Sequence, residues 1–384
     1  MSTAAQAQKA RTARAEIVLD RKTGQARQAG AATADGPWIT TYRRKMEGSL
    51  YAFIKGVLGK TFLTEALHLP VCQFLQRVPP MRKAILLPRE HAKTTIVSHS
   101  LPIHILIQPA DANVYFPGED GADQRIIMTG ETEARMTDAL RVIESAFETN
   151  EVLRALWPHR TWDNPRKQSK KWNEREMILP RTQEWSDPSI RAMGVGAAVT
   201  GAHPSVLIKD DLVTLDAANS PLVMQQAIDW HVASRALINK PSSLEFLIGT
   251  RWGVADLYDA IQRNDPTVAW LIKAVVEDGE PIWPEAFTLD KIAQLQREFG
   301  VLFALLYMNS GSDPSLTDFD MEMVREFALV GNALEFTEDE RDVAIGERLN
   351  RPAPLPPVPP GTPLTRETWQ QLYQPGQGFR LRSI

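Results

Sequence analysis

Cysteine is almost absent from this chain: Cys72 alone occurs in 384 residues. One cysteine excludes an intrachain disulfide and any cysteine-based zinc site. It lies in the apolar run Leu69-Pro70-Val71-Cys72-Gln73-Phe74-Leu75, where it is expected to be a core residue. Long hydrophobic runs are missing too. There is no stretch of about 18 uninterrupted apolar residues and no signal-peptide segment at the N-terminus, which predicts a soluble, cytosolic chain. An excess of positive charge is also lacking: 43 Lys+Arg against 47 Asp+Glu give a formal net charge of -4. A surface coated in basic residues is thereby excluded, and any contact with nucleic acid must be local. The seven His are scattered. His99 and His104 stand five apart, which is not the spacing that places two metal ligands on one helix face.

Hydrophobic residues make up 43% of the chain, enough for a sizeable core. The length allows two domains or one large α/β domain. Residues 1–37 are poor in large apolar groups and carry more basic than acidic residues, which predicts a flexible arm with helical tendency against a partner. Helices are expected over Thr40–Leu58, Glu65–Gln76, Glu133–Asn150, Pro221–Leu237, Ala255–Gln262 and Asp290–Phe299. Strands are expected at Lys83–Leu87, Arg125–Met128, Val206–Ile208, Leu244–Ile248 and Ala269–Val276, with short candidates at Glu176–Leu179 and Ile190–Val195. Strands alternating with helices predict an α/β fold with a mostly parallel sheet covered on both faces. Ligands then bind at the carboxyl ends of the strands. Beyond residue 315 the character changes. Arg351–Pro363 is a Pro-rich, extended linker, so residues 316–384 are read as linker and tail.

The chemistry concentrates in Leu87-Pro88-Arg89-Glu90-His91-Ala92-Lys93-Thr94-Thr95, which follows the first strand. A strand, a tight turn and Lys-Thr opening a helix form the layout of a phosphate-binding P-loop. Backbone N–H groups and the helix dipole favour phosphate there. Lys93 would reach the β/γ-phosphates and the Thr94 hydroxyl would ligate Mg²⁺. Leu87 and Ala92 stand where the standard pattern has Gly, and Ala92 is expected to fit with a negative φ. Val206-Leu207-Ile208-Lys209-Asp210-Asp211 supplies a second strand, ending in two carboxylates. Asp210 is assigned to the metal and Asp211 to the attacking water. Gly59-Lys60-Thr61 resembles another P-loop end but follows no strand, and reads as a helix stop.

Together these segments resemble the ATPase domain of the large terminase subunit of tailed bacteriophages, the motor that pumps DNA into a capsid. The family's P-loop carries Arg four residues before the Lys, as Arg89 does here. Gly194–Gly201 ahead of Val206–Asp211 resembles its Gly-rich segment. Leu247-Ile248-Gly249-Thr250-Arg251-Trp252 is similar to its coupling motif, and Ile282-Trp283-Pro284-Glu285 and Phe303–Asn309 to the domain's tail. The resemblance spans about residues 40–315 and implies a P-loop NTPase fold over residues 38–315. It implies ATP and Mg²⁺ as ligands, with Pro88 to Thr95 holding phosphate. It also gives Arg89 a place over the γ-phosphate and assigns coupling to Thr250 and Arg251. A neighbouring subunit's arginine is expected in trans, with Arg191 and Arg235 as candidates. Implied partners are double-stranded DNA, a portal protein, a terminase small subunit and further copies in a ring on the capsid, in the host cytoplasm. Asp211 stands where many members have Glu.

Full-length members add a metal-dependent nuclease. The residues after Ser310 are too few for one, and Asp318, Asp320 and Glu322 lack a strand series, so no nuclease is expected in this chain. The best local DNA patch is Arg166-Lys167-Gln168-Ser169-Lys170-Lys171-Trp172-Asn173-Glu174-Arg175, cations beside an aromatic. A solvated basic loop accounts for it equally well. Two other readings stay open: a helicase-like nucleic-acid translocase, and a non-hydrolysing assembly subunit in which Ala92 and Asp211 mark a decayed site.

Overall fold

A computed structural model describes residues 37–197, 201–238 and 240–311, together with the backbone of four short strands outside them. In chain order the strands are β1 (Ala15–Leu19), β2 (Ala26–Ala31), β3 (Arg82–Leu86), β4 (Ile126–Gly130), β5 (Trp172–Asn173), β6 (Glu176–Met177), β7 (Ile190–Gly194), β8 (Val206–Asp210), β9 (Leu244–Gly249), β10 (Val268–Ile272), β11 (Val276–Glu277), β12 (Glu280–Pro281), β13 (Phe327–Val330) and β14 (Ala333–Phe336). Contacts divide the chain into residues 1–311 and 312–384. In the first unit β1 and β2 form an antiparallel hairpin; in the second, β13 and β14 do the same. Asp318, Asp320 and Glu322 and the Pro-rich tail lie outside the described residues.

The centre of the first unit is an eight-stranded sheet in the order β10-β3-β9-β8-β4-β7-β6-β5. Its six strands from β10 to β7 run parallel, and only β6 and β5 are antiparallel. The strands β3, β4, β8 and β9 are mostly apolar and, Arg82 apart, buried on both faces, as parallel strands under crossover helices must be. Successive residues serve opposite sides. Ile85, Ile208 and Ile248 join the large core with the N-terminal helices and the helix Glu133–Thr149, whereas Ala84, Leu86 and Leu247 meet the helices Pro221–Ser234 and Leu257–Asn264. The expected α/β architecture with a mostly parallel sheet flanked by helices is what the chain adopts.

Local departures have local causes. The first expected helix is two, Pro37–Gly48 and Leu50–Gly56, because Ser49 is extended and caps the second through Ala52 N–H. Gly59 adopts φ +69° in the turn after it, so Gly59-Lys60-Thr61 is a helix stop. The helix after the P-loop begins as a π-type turn, Thr95–Ser100, and passes into an α-helix, Leu101–Leu106. Pro102 sits at the start of that α-helix, where its missing N–H costs least, so the helix continues instead of breaking. The expected last strand ends at Ile272, and Val276 instead enters a hairpin whose turn residues Asp278 and Gly279 both have positive φ.

Candidate phosphate-binding site

The P-loop leaves β3 at the carboxyl edge of the sheet. Glu90 (φ +66°) and Ala92 (φ +61°) are left-handed, while His91 between them is not. The His91 N–H donates to the Pro88 carbonyl at 3.2 Å and closes the turn; alternating φ of this kind is how the amides that remain can build a nest for an anion. Ala92 therefore does not take the negative φ expected from the sequence. Convergence of the loop N–H groups needs the conformation glycine adopts freely, and here alanine is held in it. Two contacts brace the loop. The Arg89 N–H donates to the Leu306 carbonyl at 3.0 Å. His91 is fully buried, stacks on Phe287 at 4.3 Å and donates from Nδ1 to the Arg89 carbonyl at 2.8 Å. Burial, helped by the Lys93 charge and opposed by that carbonyl, pushes the imidazole down to about 4, so it is neutral at pH 7.

One strand, β9, separates β3 from β8. The acid strand nevertheless meets the P-loop helix. Thr94 Oγ1 donates to Asp210 Oδ1 at 3.4 Å and Ser98 Oγ donates to Oδ2 at 2.6 Å. Lys93 is buried and its Nζ donates to Thr250 Oγ1, just past β9, at 2.6 Å. Lys93, Thr94, Asp210 and Thr250 thus converge. Burial raises the Asp210 carboxyl to about 6; the adjacent Asp211 adds to this, while Ser98, Lys93 and Thr94 oppose it. The half-buried Thr94 hydroxyl and the buried Asp210 carboxylate are hard oxygen donors of the kind that would hold Mg²⁺.

Asp211 has φ +48°, and its Oδ2 lies 3.4 Å from Arg135 Nη2. Its Oδ1 is buried without a hydrogen-bond partner. The same guanidinium is 3.9 Å from Glu131, whose carboxylate also accepts the Thr214 hydroxyl. Arg89 is exposed and lies 5.6 Å over the Trp252 ring. Arg251 is buried and bonds Asp256 at 2.9 Å and the Val254 carbonyl at 2.8 Å, so it is locked in its own loop and does not stack on Trp252. Arg191 pairs with Glu176 at 2.7 Å and Arg235 with Asp265 at 2.7 Å. In the basic patch, Lys170 pairs with Glu184, Lys171 with Glu176 and Arg175 with Glu133. Among the described residues no group of three or more His, Cys, Asp or Glu could hold a metal ion, and no helix is long and apolar enough to cross a membrane.

Sequence reasoning missed Ser98, Arg135 and Tyr258. Ser98 carried a signal, since it lies four residues after Thr94 on the helix that faces the acid strand. Arg135 and Tyr258 carried none, because their relation to Asp211 exists only once the sheet has formed.

No protein-family model matches the chain, and no curated protein does. Solved structures similar to it include the large terminase of a thermophilic bacteriophage (10% identity, TM-score 0.37, 62% of this chain and 51% of that one). Another is the same terminase in complex with ADP (9% identity, TM-score 0.35, 72% and 67%). The chain spans about half the length of the first of these.

Proposed function

We propose that this chain is the ATP-hydrolysing subunit of a viral DNA-packaging motor, a terminase large subunit in its ATPase part. The observation that carries the reading is the convergence of Lys93 and Thr94 with Asp210 at the carboxyl edge of the sheet. Loop N–H groups and Lys93 hold the phosphates, and Thr94 and Asp210 hold Mg²⁺. A Mg²⁺ held there would supply charge neutralisation at the phosphate oxygens. Asp211 orients the attacking water. Arg89, exposed beside Trp252, takes the γ-phosphate or senses its loss. Thr250, which receives Lys93, relays the nucleotide state to the surface that grips double-stranded DNA, and Arg251 holds the loop through which it does so.

The motor assembles as a ring of copies on the capsid in the host cytoplasm, with portal protein and small subunit as partners. DNA contact through the 166–175 patch requires phosphates to displace Glu184, Glu176 and Glu133 from its cations, which makes binding steeply salt-dependent. The decisive assay is ATP hydrolysis by the wild type and Lys93→Ala, with and without duplex DNA. The wild type is expected to hydrolyse ATP faster with DNA, and Lys93→Ala to lose roughly a hundredfold or more. One observation favours the non-hydrolysing alternative: Ala92 is held in a glycine-type conformation. Absence of hydrolysis by the wild type with DNA and partner proteins would establish that alternative. Unwinding of a tailed duplex would instead favour a helicase-like translocase.

A further inference from the structure

Tyr258 lies in the first turn of the helix Leu257–Asn264, and that start is firmly fixed. Asp256 caps it, accepting from Asp259 N–H at 3.1 Å, from Trp252 N–H at 3.2 Å and from Arg251. The ring is fully buried, and its hydroxyl rests over Gly249, the last residue of β9. A Cβ at Gly249 would occupy the place of that hydroxyl, so the absence of a side chain there is what admits the tyrosine. The register pairs Asp210 with Ile248, and the Asp211 N–H donates to the Ile248 carbonyl at 3.0 Å. Asp211 thus follows the last paired residue of β8 and lies next to the end of β9, and its charge is felt at the Tyr258 phenol. The Tyr258 hydroxyl and Asp211 Oδ1 are both buried and both lack a hydrogen-bond partner. A donor and an acceptor so placed are costly apart and satisfied together. Burial, and then the Asp211 charge, push the phenol well above its ordinary range, so it remains a donor at every working pH.

We propose that Tyr258 is a positioning residue for Asp211: its hydroxyl takes Asp211 Oδ1 when the carboxylate leaves Arg135, presenting Oδ2 to the attacking water. The proposal rests on the reading of Asp211 as the water-orienting acid. Tyr258→Phe keeps the ring that fills the core and removes only the unpaired hydroxyl, so the melting temperature is expected not to fall. With hydrolysis as the readout, kcat should drop about tenfold or more while KM for ATP stays within about twofold. In an Asp211→Asn background the same change should have no further effect. A second readout needs no turnover. With 3-fluorotyrosine at position 258 of the nucleotide-free full chain, Arg135→Ala should free the carboxylate to meet the hydroxyl and move the fluorine resonance, and adding Asp211→Asn should abolish that move. Unchanged kcat, an equal drop in both backgrounds, or an unmoved resonance would overturn the proposal. A wild type that hydrolyses nothing would defeat the parent reading alone, since the fluorine measurement still decides the contact.

Discussion

The alanine in the P-loop offers a sharp test of how the site is built. Ala92 has φ +61°, a region that costs an L-residue about 1–2 kcal/mol. Replacing it with glycine removes that cost, gives the unfolded chain about 0.5–1 kcal/mol of extra freedom, and forfeits the packing of one half-buried methyl. The net sign is hard to read from one variant, so a matched control is needed. Ala260 is also half-buried but lies inside the helix Leu257–Asn264. Ala260→Gly shares the entropy and methyl losses without the relief, so those terms cancel in the comparison. The two variants should differ by about 1–2 kcal/mol in unfolding free energy, Ala92→Gly being the more stable. Urea titration followed by tryptophan fluorescence measures this directly, provided the slopes of the two unfolding curves agree. Equal destabilisation by both substitutions would show that the loop is not strained at Ala92, and the nest geometry would have to be abandoned.

Three other outcomes are expected. Asp210 titrates near 6 in the folded chain against 3.8 in the unfolded one. Its contribution to stability is therefore full below about pH 4 and lost as pH rises through 6; Asp210→Asn should flatten that decline in metal-free urea titrations. Arg251→Ala leaves the buried Asp256 carboxylate unpaired and should cost about 3–5 kcal/mol, and a loss under 1 kcal/mol would contradict the buried pairing. Lys209 and Glu245 form a fully buried pair at 2.5 Å, with His231 3.0 Å from the ammonium. Glu245→Gln should be strongly destabilising, whereas Lys209→Met with Glu245→Leu should recover most of the loss in the same measurement.

Much of the scaffold was legible because its strands are mostly apolar runs closed by chemistry-bearing residues. β3 ending at the P-loop and β8 ending at Asp210 are the clearest cases. The position of β9 between them was not legible, since strand order depends on crossover handedness and packing. Thr250 could be named from its motif, but its hydroxyl bond to Lys93 follows from that order. The conformation of Ala92 was misjudged because side-chain size suggests the comfortable φ, while convergent N–H groups demand the other. The basic patch looked stronger in sequence than in structure, because Glu133 and Glu184 come from distant segments to neutralise it. Arg251 was assigned to coupling from its motif, but its bond to Asp256 five residues on could not be read from that motif.

The bond from the Arg89 amide to the Leu306 carbonyl has a practical side for anyone trimming this polypeptide. The phosphate-loop, acid-pair and coupling motifs all end by Trp252, so a fragment cut soon after it would keep every residue assigned a chemical role from the sequence. Its P-loop would have lost the brace on Arg89 and the Phe287 platform beneath His91. Fragments intended for nucleotide-binding work should keep the chain through at least Gly311, and shorter ones are poor guides to the affinity of the intact protein.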